Sequence, residues 1–448
     1  MKTIGILSKN YAAKRLFLNK LSDYQYKDIR FYNWYLWKNA HLWFLRTIGK
    51  LKMTPEEAAA KLFYDYKAIA STGCDVFHFF NTINHSNFPN WVISVESCVP
   101  WPLEVTRIVE SDNPDFSSIK DNPYVLEAMK RLASDNCLAL LPLSHCSYNI
   151  QASLVAQFPQ YEKRISAKLI ALLPPQELKI NSLVEKGLAY DSTETFTFVY
   201  VGRNYFRKGG RDTVEVLAKL RKMYDFKLIL ISALDKDEAK YERTDHDLED
   251  AQALIESNKE WIEYYPSLPN NQVLNKIKSA HVALLPTWMD TFAYSVLECQ
   301  ACGTPVISTS LRALTELNDS SVGWLIDVPV NKLNNPIMNN HDDFQRFESQ
   351  LQSGLERVIC HVLENRTEVK EKAGKSGDYY ETYQSVLAPY LVTDLNANQI
   401  NRLTEYSLSG EVFYVPGEIE ASGEHEEFLV DEEKLKEIIL KMFYKLQE

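Results

Sequence analysis

Short apolar runs alternate along most of the chain with longer stretches whose apolar positions recur at helical spacing. That alternation is the pattern of βα units, in which strands buried on both faces build parallel sheets. In the first half it predicts strands at Thr3 to Leu7, Ile29 to Tyr32, Val76 to Phe80, Trp91 to Val95, Cys137 to Leu141 and Lys168 to Leu173. A second series follows at Phe196 to Val201, Lys227 to Ser232, Trp261 to Tyr264, Val282 to Leu285, Val306 to Ile307 and Gly323 to Ile326. Between the two series, Glu185 to Glu194 carries Gly, Asp, Ser and Thr and reads as a linker. The expectation is an α/β chain of two doubly wound domains, residues 1–184 and 195–390, facing each other across a cleft. In such sheets ligands bind at the C-terminal ends of the strands. Residues 391–448 are expected to form an extension. It has an acidic stretch, GEIEASGEHEEF, and a final amphipathic helix carrying Leu435, Ile438, Ile439, Met442, Phe443 and Leu446. Packing of that helix on its own domain is favoured over a partner interface.

Composition narrows the classes. The 448 residues are 45% hydrophobic and 24% charged, ordinary for a globular chain with two cores. A net charge of −11 argues against a nucleic-acid-binding protein held by a broad basic face. No run of eighteen apolar residues appears, and MKTIGILSKNY reads as a short strand and not as a secretory signal. Seven cysteines, an odd number, are expected as reduced thiols in a cytoplasm. Cys299 and Cys302 form a C-x-x-C, but they fall late in a helix and not at its N-terminus, so packing is favoured over redox chemistry.

The stretch HVALLPTWMDTFAYSVLECQACGTPVISTS carries the densest chemistry. It reads as a strand, a loop, a helix, a Gly stop and a second strand. Asp290 stands at the start of the helix and Glu298 eight residues on, which on a continuous helix separates the carboxylates by roughly 12 Å. A helix N-terminus between them is an anion site, because its free N–H groups and dipole favour phosphate. Phe292, Ala293 and Ser295 keep that start compact, and Thr291 or Asp290 can cap it. Upstream, FVYVGRNYFRKGGRDT sets Gly202 after a strand and Arg203 and Lys208 in the loop before a helix, two cations suited to a diphosphate. Downstream, TELNDSSVGWLIDV brings Glu316 toward the same edge.

Together these motifs resemble the donor domain of GT-B glycosyltransferases, specifically glycosyltransferase family 4. The family pattern of a strand, Gly-Arg, four residues and Lys-Gly is matched by Gly202, Arg203, Lys208 and Gly209. Its acid, seven residues, Glu, and small-residue helix ending in Cys-Gly-Thr-Pro-Val is matched by Asp290, Glu298 and Cys302 to Val306. The resemblance runs from about Phe196 to Val328, weakens across the first half and is absent after about Leu391. It implies two Rossmann-like domains, a nucleoside-diphosphate-sugar donor built on UDP or GDP, and neither cofactor nor metal. It further implies that Arg203 and Lys208 hold the diphosphate, Glu298 the ribose and Asp290 the transferred sugar. Gly202, Thr291, Phe292, Ala293 and Glu316 would line the nucleotide side.

The chain departs from the family at several points. The first acid is Asp where Glu is usual, and Thr291 and Ala293 stand where Gly is usual. SKNYAAKR lacks the glycine-rich turn expected after the first strand, and ALDKDE lacks one after the strand ending at Ser232. In NWVISVESCVPWP the position matching the family's sugar-contacting His is Glu96, a catalytic candidate whose carboxylate could take over hydrogen bonding to sugar hydroxyls or could signal altered or lost activity. Nearby polar candidates are His85, Ser144 and His145, each more readily structural than functional. The stretch 31–52 mixes Trp34, Trp37 and Trp43 with Lys38, Arg46, Lys50 and Lys52, which suits a sugar or the inner membrane surface, although packing in a core is favoured. Asp235 and Asp237 could be read as a metal pair, a reading that the Arg203 and Lys208 cations make unnecessary.

The expectation is therefore a cytoplasmic, retaining, metal-independent glycosyltransferase. Its two domains would close over a nucleoside-diphosphate-sugar, with a glycan or lipid-linked acceptor of surface polysaccharide synthesis. The alternative is a catalytically silent GT-B-like binding or partner protein, motivated by Glu96 and the missing glycines.

Overall fold

The computed structural model describes residues 3–7, 25–28, 74, 76–84, 90–174, 176, 178–235 and 244–375. They divide into two compact units. One takes in the described residues of Met1–Ile108 and Asp115–Pro175, the other those of Val109–Pro114 and Gln176–Gln384. The stretch 31–52, His85, Asp237 and the extension 391–448 lie outside the described residues. Among the described residues no helix is long and apolar enough to cross a membrane.

The first unit is built on a parallel five-stranded sheet of β1 (Thr3–Leu7), β2 (Gln25–Asp28), β3 (Val76–Phe80), β4 (Trp91–Val95) and β5 (Cys137–Pro142), in the order β2-β1-β3-β4-β5. Strands β3, β4 and β5 are buried at every residue, as a sheet covered on both faces requires. Helices α1 (Leu103–Glu110), α2 (Pro123–Leu132), α3 (His145–Val155) and α4 (Pro159–Ser166) follow them. The start of α2 is set locally: Asn122 Oδ1 accepts from the amides of Tyr124 and Val125, and Pro123 opens the helix with φ already fixed.

One expected strand falls outside the described residues, and another is corrected. The strand beside β1 is Gln25–Asp28, ahead of the apolar run at 29–32, which lies outside the described residues; its Gln25 and Lys27 are exposed, as an edge strand permits. The stretch expected as a strand at Lys168 to Leu173 meets β5 through a bridge at Leu169 and does not form a strand. Leu140 N donates to Lys168 O at 2.9 Å and Leu172 N to Pro142 O at 2.8 Å, after which Pro174 ends the pairing.

The second unit is a parallel six-stranded sheet of β6 (Phe196–Asn204), β7 (Phe226–Ala233), β8 (Ile262–Tyr265), β9 (Val282–Leu285), β10 (Val306–Thr309) and β11 (Gly323–Ile326). The spatial order β8-β7-β6-β9-β10-β11 is the 3-2-1-4-5-6 order of the doubly wound nucleotide-binding fold. The chain reverses direction across the sheet between β6 and β9, so the loops after these two strands flank a crevice. Helices α5 (Gly210–Leu220), α6 (Asp245–Glu256), α7 (Asn270–Lys278), α8 (Tyr294–Ala301), α9 (Leu314–Leu317) and α10 (His341–Glu364) complete the unit. An aromatic file fills one side of the core: Phe198 meets Phe226 edge-on at 5.6 Å, and Phe226 meets Trp261 at 5.6 Å. His281 stacks on Phe196 at 4.7 Å, accepts at Nδ1 from Thr197 N and donates from Nε2 to Ala189 O.

The expected linker at 185–194 belongs to this second unit. Lys179 N donates to Ala301 O at 2.8 Å, and the buried Lys186 ammonium donates to Gly303 O at 3.0 Å and to Thr304 Oγ1 at 2.5 Å. Glu194 in turn accepts from Ala189 N at 2.7 Å.

Candidate functional site

Two loops at the C-terminal edge of the second sheet, one after β6 and one after β9, are fitted into each other. Gly209 is the tightest point. Its φ is +78°, and a Cβ there would stand 2.0 Å from the carbonyl oxygen of Pro286, so only glycine lets the loops approach this closely. Hydrogen bonds then tie them: Trp288 N donates to Arg207 O at 2.9 Å, and Thr287 Oγ1 donates to the same oxygen at 3.2 Å. Gly202 is packed as well, with a Cβ there only 3.0 Å from Cβ of Lys208.

This fit delivers Lys208 to Asp290. Its ammonium donates to Oδ2 of Asp290 in an ion pair whose side chains keep 16% and 12% of their exposure. The other carboxylate oxygen, Oδ1, accepts from the amides of Thr291 at 2.9 Å and Ala293 at 3.2 Å. Helix α8 begins only at Tyr294, so Asp290 holds the loop ahead of the helix and does not cap its first turn. Ala293 holds φ +62°, left-handed backbone that glycine adopts without cost. Phe292 is buried beneath, its ring 4.9 Å from that of Tyr294.

Glu298 follows on the second turn of α8 and is buried, with Oε1 accepting from Asn270 Nδ2 at 3.3 Å from the start of α7. Because only Tyr294–Glu298 of the intervening chain is helical, the roughly 12 Å of a continuous helix does not describe the separation from Asp290. The crevice between β6 and β9 thus gathers a cation, an amide-lined anion position and two carboxylates, the equipment for a phosphorylated ligand that also carries hydroxyl groups.

Residues 190–339 match the family model of glycosyl transferases group 1. That segment is a glycosyl transferases group 1 domain. The D-inositol 3-phosphate glycosyltransferase of Paenarthrobacter aurescens is 28% identical over 138 residues, which are 30% of this chain and 32% of that protein. A relative of the same name from Acidothermus cellulolyticus is 32% identical over 65 residues, 14% of each chain. The chain thus spans about a third or less of the length of the curated relatives it matches. Among solved structures, WaaG, a glycosyltransferase involved in lipopolysaccharide biosynthesis, is similar with 16% identity and a TM-score of 0.47, covering 85% of this chain and 95% of that one. HepE from Anabaena in complex with UDP is similar with 12% identity and a TM-score of 0.48, covering 86% and 95%.

Arg203, Glu316 and Asp235 lie at or beyond strand ends on the same edge of the sheet. Arg203 is exposed at the end of β6. Glu316 is half-buried on the short helix α9 after β10, one strand further from β6 than Asp290. Asp235 is exposed beyond β7. Cys299 and Cys302 are buried free thiols; burial pushes Cys302 up to about 11 and Cys299 well above the ordinary thiol range. Both are therefore protonated and inert, as packing residues should be.

In the first unit Glu96 stands just past β4 in a reciprocal pair with Asn81. Asn81 Nδ2 donates to Glu96 Oε2 at 3.0 Å, and Glu96 N donates to Asn81 Oδ1 at 2.9 Å. Ser144 is the cap of α3, its Oγ accepting from Ser147 N at 3.0 Å. His145 opens that helix half-buried, with burial lowering its pKa.

Sequence reasoning missed the support behind the pair. Trp288 Nε1 donates to the buried carboxylate of Asp212 at 2.7 Å, and Gln352 Nε2 donates to its other oxygen at 3.2 Å. The indole stacks on Phe344 at 4.6 Å, so the loop that carries Asp290 is pinned to α5 and α10 together. Burial lifts Asp212 to about 6. Asn270 was missed too. These partners lie 76 and 140 positions from Asp212, with no local pattern to announce them.

Proposed function

We propose that the chain is a retaining glycosyltransferase of family 4 type that moves a sugar from a nucleoside-diphosphate-sugar, built on UDP or GDP, to a glycan or lipid-linked acceptor in surface polysaccharide synthesis. The observation that carries this reading is the meeting of Lys208 and Asp290 in the crevice between β6 and β9, inside a group 1 domain. In this reading Lys208 and the exposed Arg203 neutralise the departing diphosphate, with Thr291, Phe292 and Ala293 as the backbone it approaches. Glu298, oriented by Asn270, accepts from the ribose hydroxyls. Asp290 faces the transferred sugar, and Gly202 and Glu316 border the nucleotide. The diphosphate serves as leaving group, and one of its oxygens takes the acceptor proton, as the resemblance implies. We place the protein in the cytoplasm, reaching a lipid-linked acceptor at the membrane surface.

A second reading, a silent binding or partner protein, is favoured by Glu96, whose carboxylate is engaged with Asn81. A thermal-shift panel of UDP, GDP, ADP and CMP and their common sugars, run with and without chelator, tests the donor site. A ligand at about 100 times its dissociation constant adds roughly 2.7 kcal/mol of stability. Stabilisation by one nucleoside diphosphate in chelator, abolished in Lys208→Ala, supports the reading; no stabilisation by any of them sinks it.

A further inference from the structure

The anion position at the start of α8 is already filled by the protein itself. Asp290 Oδ1 takes the amides of Thr291 and Ala293, and Oδ2 takes the ammonium of Lys208. These are the donors that a phosphate oxygen would use. The amides of Thr291 and Ala293 converge on one oxygen just ahead of the helix, where Ala293 takes left-handed backbone, and the anion they hold is a side chain. The pair is mostly shielded from water, so the carboxylate competes for Lys208 at close range and with little screening.

We propose that Asp290 is the resident anion of the donor site, displaced from Lys208 when the donor diphosphate binds and returning to Lys208 after transfer to expel the nucleoside diphosphate. The inference rests on the donor-site reading above and adds regulation of that site. The exchange is one of non-covalent partners: the phosphate gains the ammonium, and the carboxylate loses it. In the complete donor the sugar hydroxyls can donate to the released carboxylate, so its charge stays satisfied. Once the sugar has left, nothing replaces those donors. A carboxylate without its ammonium partner then faces the diphosphate, and like-charge repulsion favours release. Asp290 thereby discriminates a donor that carries its sugar from the product that has lost it.

The experiment is calorimetric titration of wild type, Asp290→Asn and Asp290→Ser with UDP, GDP and ADP. The asparagine keeps an oxygen for the two loop amides but cannot neutralise Lys208; the serine is a second variant with a hydroxyl acceptor, and circular dichroism checks that both fold. Resident-anion behaviour predicts that the nucleoside diphosphate that binds wild type binds both variants at least fivefold more tightly. Equal or weaker binding by folded variants overturns the proposal and leaves Asp290 as a sugar contact or a loop brace. Wild type and variants that bind none of the three would instead remove the donor-site reading, and this proposal with it. Binding seen only in the variants would support displacement.

Discussion

The ammonium of Lys208 and the carboxylate of Asp290 come from positions 82 residues apart and meet in a largely shielded ion pair between the loops after β6 and β9. Removing one partner of such a pair leaves the other charge desolvated and unpaired, whereas removing both avoids that penalty. Lys208→Ala is therefore expected to destabilise the protein by about 2–3 kcal/mol, and Lys208→Ala combined with Asp290→Ala by less than the sum of the two single changes. A double-mutant cycle from urea denaturation checks this; additive effects would mean that the pair carries no coupling.

The two loops can approach only because residue 209 lacks a side chain. Gly209→Ala adds a methyl 2.0 Å from the Pro286 carbonyl oxygen and requires φ +78° of an L-residue. We expect a loss of more than about 3 kcal/mol, or no folded protein. Ala293→Gly is the converse case, since left-handed backbone at φ +62° costs alanine about 1 kcal/mol that glycine does not bear. Melting temperatures of the two variants should move in opposite directions.

Glu298 is held by Asn270 at the start of α7, which presents its carboxylate in one orientation. If it accepts from the ribose, Glu298→Ala should weaken binding of the preferred nucleoside diphosphate roughly tenfold or more, about 1.4 kcal/mol. The 2′-deoxy form of that nucleotide should bind wild type and variant with similar, weakened affinity. A 2′-deoxy nucleotide that still distinguishes the two proteins would place Glu298 away from that hydroxyl.

Asp212 links stability to pH. Burial raises its pKa to about 6 from an ordinary 3.8, so between these values the folded protein holds a proton that the unfolded chain has released. Its contribution to stability therefore falls as pH rises from about 4 to 6 and is constant above. Asp212→Asn removes that dependence and still offers an oxygen to Trp288. Relative to wild type, the variant should gain stability between pH 4 and 6, by up to about 3 kcal/mol. Urea midpoints of both proteins across that range test this; a constant difference at every pH would contradict it.

The legible part of the fold was the part whose cause is local. Strands such as Val282–Leu285 announce themselves as apolar runs because both faces are covered, and the Gly-Arg and Lys-Gly positions sit at fixed offsets from a strand end. The edge strand Gln25–Asp28 exposes Gln25 and Lys27 and needs no apolar run, so hydrophobic patterning does not announce it. The roles of Trp288 and Asp212 were hidden for another reason. A tryptophan in an apolar stretch and an aspartate in a first helical turn look ordinary until folding joins them at 2.7 Å. Asp290 was legible as a site residue, but its grip on the amides of Thr291 and Ala293 depends on a backbone turn that spacing does not reveal.

Sugar transfer from a nucleotide donor at this pair can be followed by incubating the protein with radiolabelled UDP-, GDP- and ADP-hexoses and a membrane and glycan extract. Nucleoside diphosphate release and label in the acceptor fraction are then followed together. One donor should be consumed with equal amounts of diphosphate released and sugar incorporated, the rate falling at least a hundredfold, about 2.7 kcal/mol, in Lys208→Ala and in Glu298→Ala. A donor that binds tightly but is not consumed, or whose sugar appears only free in water, would contradict that transfer.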